Sequence, residues 1–274
     1  MTQPLTMSAR VSAPAKTVHE AFTDPVQMRV WLAEHAEAEL PDRYAFWGRH
    51  TLEGDAPRQR PLHVDDHTLR FAWPLAGKTT TVEIGLREET PGSTVVTVSQ
   101  TEFDFSHPGS LGTLQTFWAL SIANLVDHLE GRPLTPKPDY TSNELRADVL
   151  LAAPPAEVYD SLVDGAQVSR WFGFPVDIDA RVGGQYGHGG RILDLDPGRA
   201  LSIDWAGTGV FTWELAGSGG GTRLTLARSG FDAGQPPYAA WTGELCAVAE
   251  LRRFHELADW QPIWLHDEHD STAG

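Results

Sequence analysis

The chain has 274 residues, a hydrophobic share of 41%, a charged share of 21% and a formal net charge of −16, with a pI near 5.0. So acidic a surface excludes a phosphate-backbone reader, which needs clustered Lys and Arg, and disfavours docking on anionic lipid. The length suggests two domains rather than one core.

Taken in order, Ser8 to Ala13 alternates as a strand does, and Pro14 breaks it. Ala15 to Thr23 fits a short helix through Val18, Ala21 and Phe22. Asp24-Pro25 is a turn that opens a second short helix with Met28, Trp31 and Leu32 on its apolar side. Strands are expected at 43–48, 59–64, 68–73, 78–86 and 93–105, in an antiparallel meander. Leu111 to Gly131 reads as a long helix, with Leu114, Phe117, Trp118, Ile122, Leu125 and Leu129 on one face, stopped by Gly131 and Pro133.

Residues 132–143 carry Pro133, Pro136 and Pro138 and no periodicity. A stiff, extended linker is expected at 136–143. It separates a first domain, 1–135, from a second, 144–262, with a tail at 263–274 whose first residues, Ile263 to Leu265, read as a short docking segment.

The second domain repeats the order of the first. Strand residues 144–152 precede short helices at 156–163 and 166–171. Strands at 191–194, 200–205, 209–215 and 222–229 follow, and a long helix from Tyr238 to Ala258 presents Trp241, Leu245, Val248, Leu251 and Phe254. The segment 11–32 recurs 140 positions later, with Ala13/Ala153, Pro14/Pro154, Val18/Val158, Asp24/Asp164, Gln27/Gln167 and Trp31/Trp171 identical. The chain therefore reads as one domain written twice.

Tryptophan is abundant, at 10 residues. Trp31/Trp171, Trp73/Trp205 and Trp118/Trp241 fall at matching places, where each fills a core or lines a cavity. The one cysteine, Cys246, sits in an apolar helical pattern as an inert buried thiol and permits no intrachain disulfide. Neither a signal-peptide pattern nor a run of membrane-span length is present, so a cytoplasmic location is expected.

Chemistry-bearing clusters are few. His63, Asp65, Asp66 and His67 have metal-binding chemistry but read as a strand end and solvated turn; His266, Asp267, Glu268, His269 and Asp270 lie in a polar tail. Asp194 and Asp196 flank an exposed turn. Arg170, Glu214 and Arg228 stand out as charges that either pair on the surface or orient a polar ligand head. The run Gly217 to Gly221 lacks the lysine and helix of a phosphate loop, and neither a nucleophile elbow nor a dinucleotide fingerprint occurs. Neither a metal nor a cofactor is expected, and no catalytic residue is assigned.

The motif Ala153-Pro154, Val158, Asp164, Trp171-Phe172, then Gly183-Gly184-Gln185-Tyr186 and a late Trp241 with Leu245, resembles the SRPBCC/START-like (Bet v 1-like) proteins, in the branch named after the activator of Hsp90 ATPase. The first half carries the same signature at Ala13-Pro14, Val18, Asp24-Pro25 and Trp31, with Arg43 where Gly183 stands, and resembles a degenerate copy. The resemblance implies an α+β fold of two tandem helix-grip domains. In each, a curved antiparallel sheet wraps a long C-terminal helix, with two short helices after the first strand.

It also implies a cavity between sheet and helix for a small hydrophobic or amphipathic molecule. The glycines at 183, 184, 187, 189 and 190 favour the second domain for it, with the first as a filled core. The candidate ligand-binding residues are Trp171, Phe172, Tyr186, Trp205, Trp213, Glu214, Arg228, Trp241 and Leu245. The rival readings are a polyketide cyclase or dehydratase and a stress-related protein–protein module. The co-chaperone's additional amino-terminal signature is missing, so Hsp90 is not expected as a partner. Oligomeric state stays open.

Overall fold

The computed structural model describes residues 4–265; the acidic and histidine-bearing tail from His266 onward lies outside them. The chain divides into two units, 1–141 together with 263–274, and 142–262.

In unit 1, β1 (Leu5–Val11) leads into α1 (Ala15–Thr23) and α2 (Pro25–Trp31). Then come β2 (His35–Glu39), β3 (Arg43–Trp47), β4 (Arg60–Val64), β5 (Thr68–Leu75), β6 (Lys78–Thr90), β7 (Ser93–Gln100) and α3 (Ser110–Leu129). Unit 2 holds β8 (Leu145–Leu151), α4 (Pro155–Val163), α5 (Gly165–Phe172), β9 (Gln185–Tyr186), β10 (Gly190–Asp196), β11 (Ala200–Trp205), β12 (Gly209–Ser218), β13 (Gly221–Ser229) and α6 (Tyr238–Glu256). The last strand is β14 (Trp264–Leu265). The unit 1 sheet runs β14-β1-β7-β6-β5-β4 and the unit 2 sheet β8-β13-β12-β11-β10-β9, each six-stranded. Every pairing is antiparallel. These are the tandem helix-grip domains of an α+β fold.

The repeated motif is a folding clasp. Pro14 and Pro154 cannot continue the strand, and their carbonyls accept from Val18 N and Val158 N at 3.1 Å each, which starts α1 and α4. Asp24 Oδ1 then accepts from Val26 N at 2.8 Å. Asp164 Oδ1 accepts from Ala166 N and Gln167 N at 2.9 and 3.0 Å, so the two aspartates cap α2 and α5. Trp31 Nε1 donates to Ala21 O at 3.1 Å, and Trp171 Nε1 to Ser161 O at 2.8 Å. Each indole thereby ties the second short helix back to the first while its ring is buried.

Several sequence expectations shift. The strand β2 was not foreseen, and β3 pairs with it in a separate two-stranded sheet instead of joining the meander. The start of the stiff linker segment bonds back onto unit 1. Thr135 N and O bond Asn124 Oδ1 and Nδ2 at 2.9 and 3.0 Å, and Lys137 Nζ donates to Arg29 O, Val30 O and Ala33 O at 3.1, 2.9 and 3.3 Å. The ammonium thus closes the carbonyl end of α2, and burial brings its pKa down to about 8. At the head of the tail the expected docking segment does dock, with Trp264 and Leu265 paired with Ala9 and Ser8. No described helix is long and apolar enough to cross a membrane.

Candidate ligand-binding site

The inward face of the unit 1 sheet is filled with rings. Phe71 of β5 meets Tyr44 and Phe46 of the separate β3 at 5.0 and 5.8 Å, Trp73 of β5 meets Phe46 at 5.1 Å, and Trp73 meets Phe117 and Trp118 of α3 at 5.5 and 6.2 Å. At the end of β7, Gln100 joins these layers. Its Oε1 accepts from Trp118 Nε1 at 2.6 Å, and its Nε2 donates to Thr80 Oγ1 at 2.8 Å. The amide therefore meets a neutral partner on both sides.

Unit 2 places a charge at the same point. Gln100 pairs with Leu5 and Val82, and Arg228 pairs in the same register with Leu145 and Phe211. The Arg228 side chain is 1% exposed. Its Nη1 donates to Thr208 O at 2.8 Å, its Nη2 to Glu244 Oε1 of α6 at 3.3 Å, and its Cζ lies 5.5 Å from the Phe211 ring centre. Its Nε has no partner. Burial raises the Glu244 carboxyl to about 7, with the Arg228 charge and hydrogen bond pulling the other way. Burial also lowers Arg228. Taking the Arg228 charge and most of the Glu244 carboxylate out of water is expensive, and one long contact between them compensates it poorly.

Around this pair stand the remaining aromatics. Tyr186 is buried on β9, its hydroxyl donates to Leu162 O at 2.9 Å, and burial followed by the Glu244 charge raises its pKa. Its ring meets Trp205 at 6.3 Å, edge to face. Phe211 meets Trp213 at 5.5 Å and Trp241 at 6.4 Å. Leu245, one turn beyond Trp241, is buried beside it on α6. The indole N–H groups of Trp205 and Trp213 are buried without a partner; in unit 1 only that of Trp73, among the described tryptophans there, is in the same state.

The structure thus brings together Tyr186, Trp205, Trp213, Arg228, Trp241 and Leu245. Trp171 is buried, with its N–H spent on the α4 carbonyl. Phe172 is 41% exposed and stacks edge-on with Phe174 at 4.6 Å. Glu214 is exposed, on the opposite face of β12 from Trp213, so it does not join the group. Glu244 takes the acid's place. The sequence held a signal for it: Glu244 follows Trp241 by three residues and precedes Val248 by four, a carboxylate inside the apolar stripe of α6.

Trp205 holds the register position of Trp73, since Phe71 pairs with Val82 as Ile203 pairs with Phe211, but its strand stops there. It closes β11 at the Gly209 pair, whereas Trp73 stands two residues inside the end of β5. The glycine at 190 serves close packing rather than an open mouth, since a Cβ there would lie 2.5 Å from Tyr186 O and 3.1 Å from Trp205 Cη2. Cys246 is half-buried on α6. Asp194 and Asp196 are exposed. Arg170 lies over the Phe254 ring at 5.1 Å, and His63 Nε2 bonds Asp65 Oδ2 at 2.9 Å on the surface. Among the described residues no group of three or more His, Cys, Asp and Glu could hold a metal ion.

Two sheets that each grip one long helix, with the same clasp in both units, define a tandem protein of the helix-grip class. The family model described as Activator of Hsp90 ATPase homolog 1-like protein matches residues 12–130 and 152–248. The chain belongs to that family. No curated protein matches it. Among solved structures it is similar to the di-domain ARO/CYC BexL from the BE-7585A biosynthetic pathway, at 13% identity over 95% of this chain and 100% of that one, TM-score 0.39. It is also similar to DynU16 from the dynemicin biosynthetic locus, at 18% identity over 93% and 100%, TM-score 0.39. A third likeness is CalU16 of Micromonospora echinospora, at 22% identity over 47% and 76%, TM-score 0.39.

Proposed function

We propose that unit 2 binds a small amphipathic molecule between its sheet and α6, with unit 1 serving as a filled structural copy. The observation that carries this reading is the contrast at one register position. Gln100 closes a neutral network in unit 1, whereas Arg228 in unit 2 keeps a long contact to Glu244 and an unpaired Nε. Buried polar groups are almost always satisfied, and those that are not point to a missing partner. The aromatic walls supply apolar contact area, and the donors supply orientation.

Freshly purified protein measured by native mass spectrometry tests this. The expected result is a co-purified small molecule, or uptake of one equivalent of the neutral probe N-phenyl-1-naphthylamine, lost on Trp241→Ala. A chain that takes up neither overturns the reading.

A polyketide cyclase or dehydratase activity would need an acid–base pair reaching such a ligand. Glu244, held at about 7, is the group whose pKa suits that work. Turnover lost in Glu244→Gln with probe binding intact would favour this second reading.

A further inference from the structure

Resting on that binding reading, we propose that the polar end of the unit 2 site takes the carboxylate of an apolar acid. Arg228 is its counter-ion, and Glu244 takes up a proton from solvent as the acid enters. The unpartnered side-chain groups of the unit 2 cluster, Arg228 Nε and the indole N–H groups of Trp205 and Trp213, are all donors. A ligand that satisfies them must bring acceptor oxygens. A carboxylate brings only acceptors and matches the planar fork of the guanidinium. An alcohol brings one oxygen and a competing donor, and an amine adds a second cation beside Arg228.

The Arg228 to Glu244 contact of 3.3 Å is long for a charge-assisted bond, so a ligand oxygen can compete for the same donors. Arg228 on β13 is the charge that acts on Glu244, and the Glu244 charge in turn acts on Tyr186 on β9. One guanidinium cannot neutralise two carboxylates out of water, and Tyr186 stays protonated. Glu244 is the group that yields, and its ordinary 4.5 is already raised to about 7. Unit 1 offers no such exchange, because Gln100 is neutral and already bonded on both sides.

Calorimetric titration of the full chain with dodecanoate, 1-dodecanol and N-phenyl-1-naphthylamine, in buffers of different ionisation enthalpy, tests the proposal. Dodecanoate is expected to bind about tenfold or more tighter than 1-dodecanol at pH 6. Near pH 8, close to one proton should be taken up per acid bound, and acid affinity should fall by up to about tenfold per pH unit above 7. Arg228→Gln, which installs the unit 1 side chain, should keep the neutral probe and lose the preference for acid. Glu244→Gln should keep acid binding and lose both the proton uptake and the pH dependence.

If the neutral probe and the alcohol bind but the acid binds no tighter, this inference falls and the binding reading stands. Acid binding without proton uptake removes the role given to Glu244. If none of the three binds, both readings fall.

Discussion

Trp118→Ala should cost unit 1 about 4 kcal/mol, the largest single loss expected in the molecule. The ring is 1% exposed and meets Trp73 and Phe117 edge-on at 6.2 and 5.2 Å. Truncation opens a cavity that neighbouring rings cannot collapse into, because each is held by the next. It also strips Gln100 Oε1 of its donor, leaving a buried carbonyl oxygen unpaired. Trp118→Phe keeps most of the ring and should cost about half as much. Hydrogen exchange of the β6 and β7 amides reads unit 1 separately from unit 2. A loss below about 1 kcal/mol would mean that the aromatic layer is not what fills this sheet.

The second large effect is on the pH dependence of stability. Glu244 has its carboxyl raised from an ordinary 4.5 to about 7. Between those values the folded chain holds more protons at this site than the unfolded one, so its contribution to stability declines as pH rises. The loss is complete above about pH 7. A shift of that size corresponds to roughly 3 kcal/mol for a fully buried group. With 19% of the side chain still in solvent, about 2 kcal/mol is expected.

Glu244→Gln keeps the shape and the acceptor oxygen facing Arg228 but does not titrate. Urea unfolding at pH 5 and pH 8 should therefore show the variant gaining about 2 kcal/mol on the parent chain across that interval. A constant difference between the two proteins would contradict the assignment.

Much of the fold was legible because its signals are local. Pro154, Asp164 and Trp171 each bond within about ten residues of themselves, so their spacing carries the clasp, and the copy at Pro14, Asp24 and Trp31 repeats it. The strand β2 was not legible: His35-Ala-Glu-Ala-Glu39 has neither β-branched nor aromatic residues, and only pairing with β3 makes it a strand.

The site was half legible. Tyr186, Arg228, Trp213 and Trp241 stand out by residue type, whereas the equivalence of Gln100 and Arg228 is a matter of register. The first strands are offset by 140 positions and β7 and β13 by 128, because the intervening strands and loops of unit 2 are shorter. Trp73 and Trp205 do match in register, although the hairpins that follow them differ. The β5–β6 hairpin turns through Ala76-Gly77, and the β11–β12 hairpin through Ala206, Gly207 and Thr208. Glu244 is legible only from its place inside the apolar stripe of α6, not from its residue type.

The central claim is that unit 2 holds the ligand and unit 1 does not. Indole 15N–1H spectra of the full chain during titration with N-phenyl-1-naphthylamine and dodecanoate address it directly. The indoles of Trp31, Trp118 and Trp171 already donate to protein oxygens and should stay in place. Those of Trp205 and Trp213, buried without acceptors, should move, with Trp205 moving downfield as it gains the carboxylate. Movement of Trp73 alone, or of no indole at saturating probe, would contradict the account.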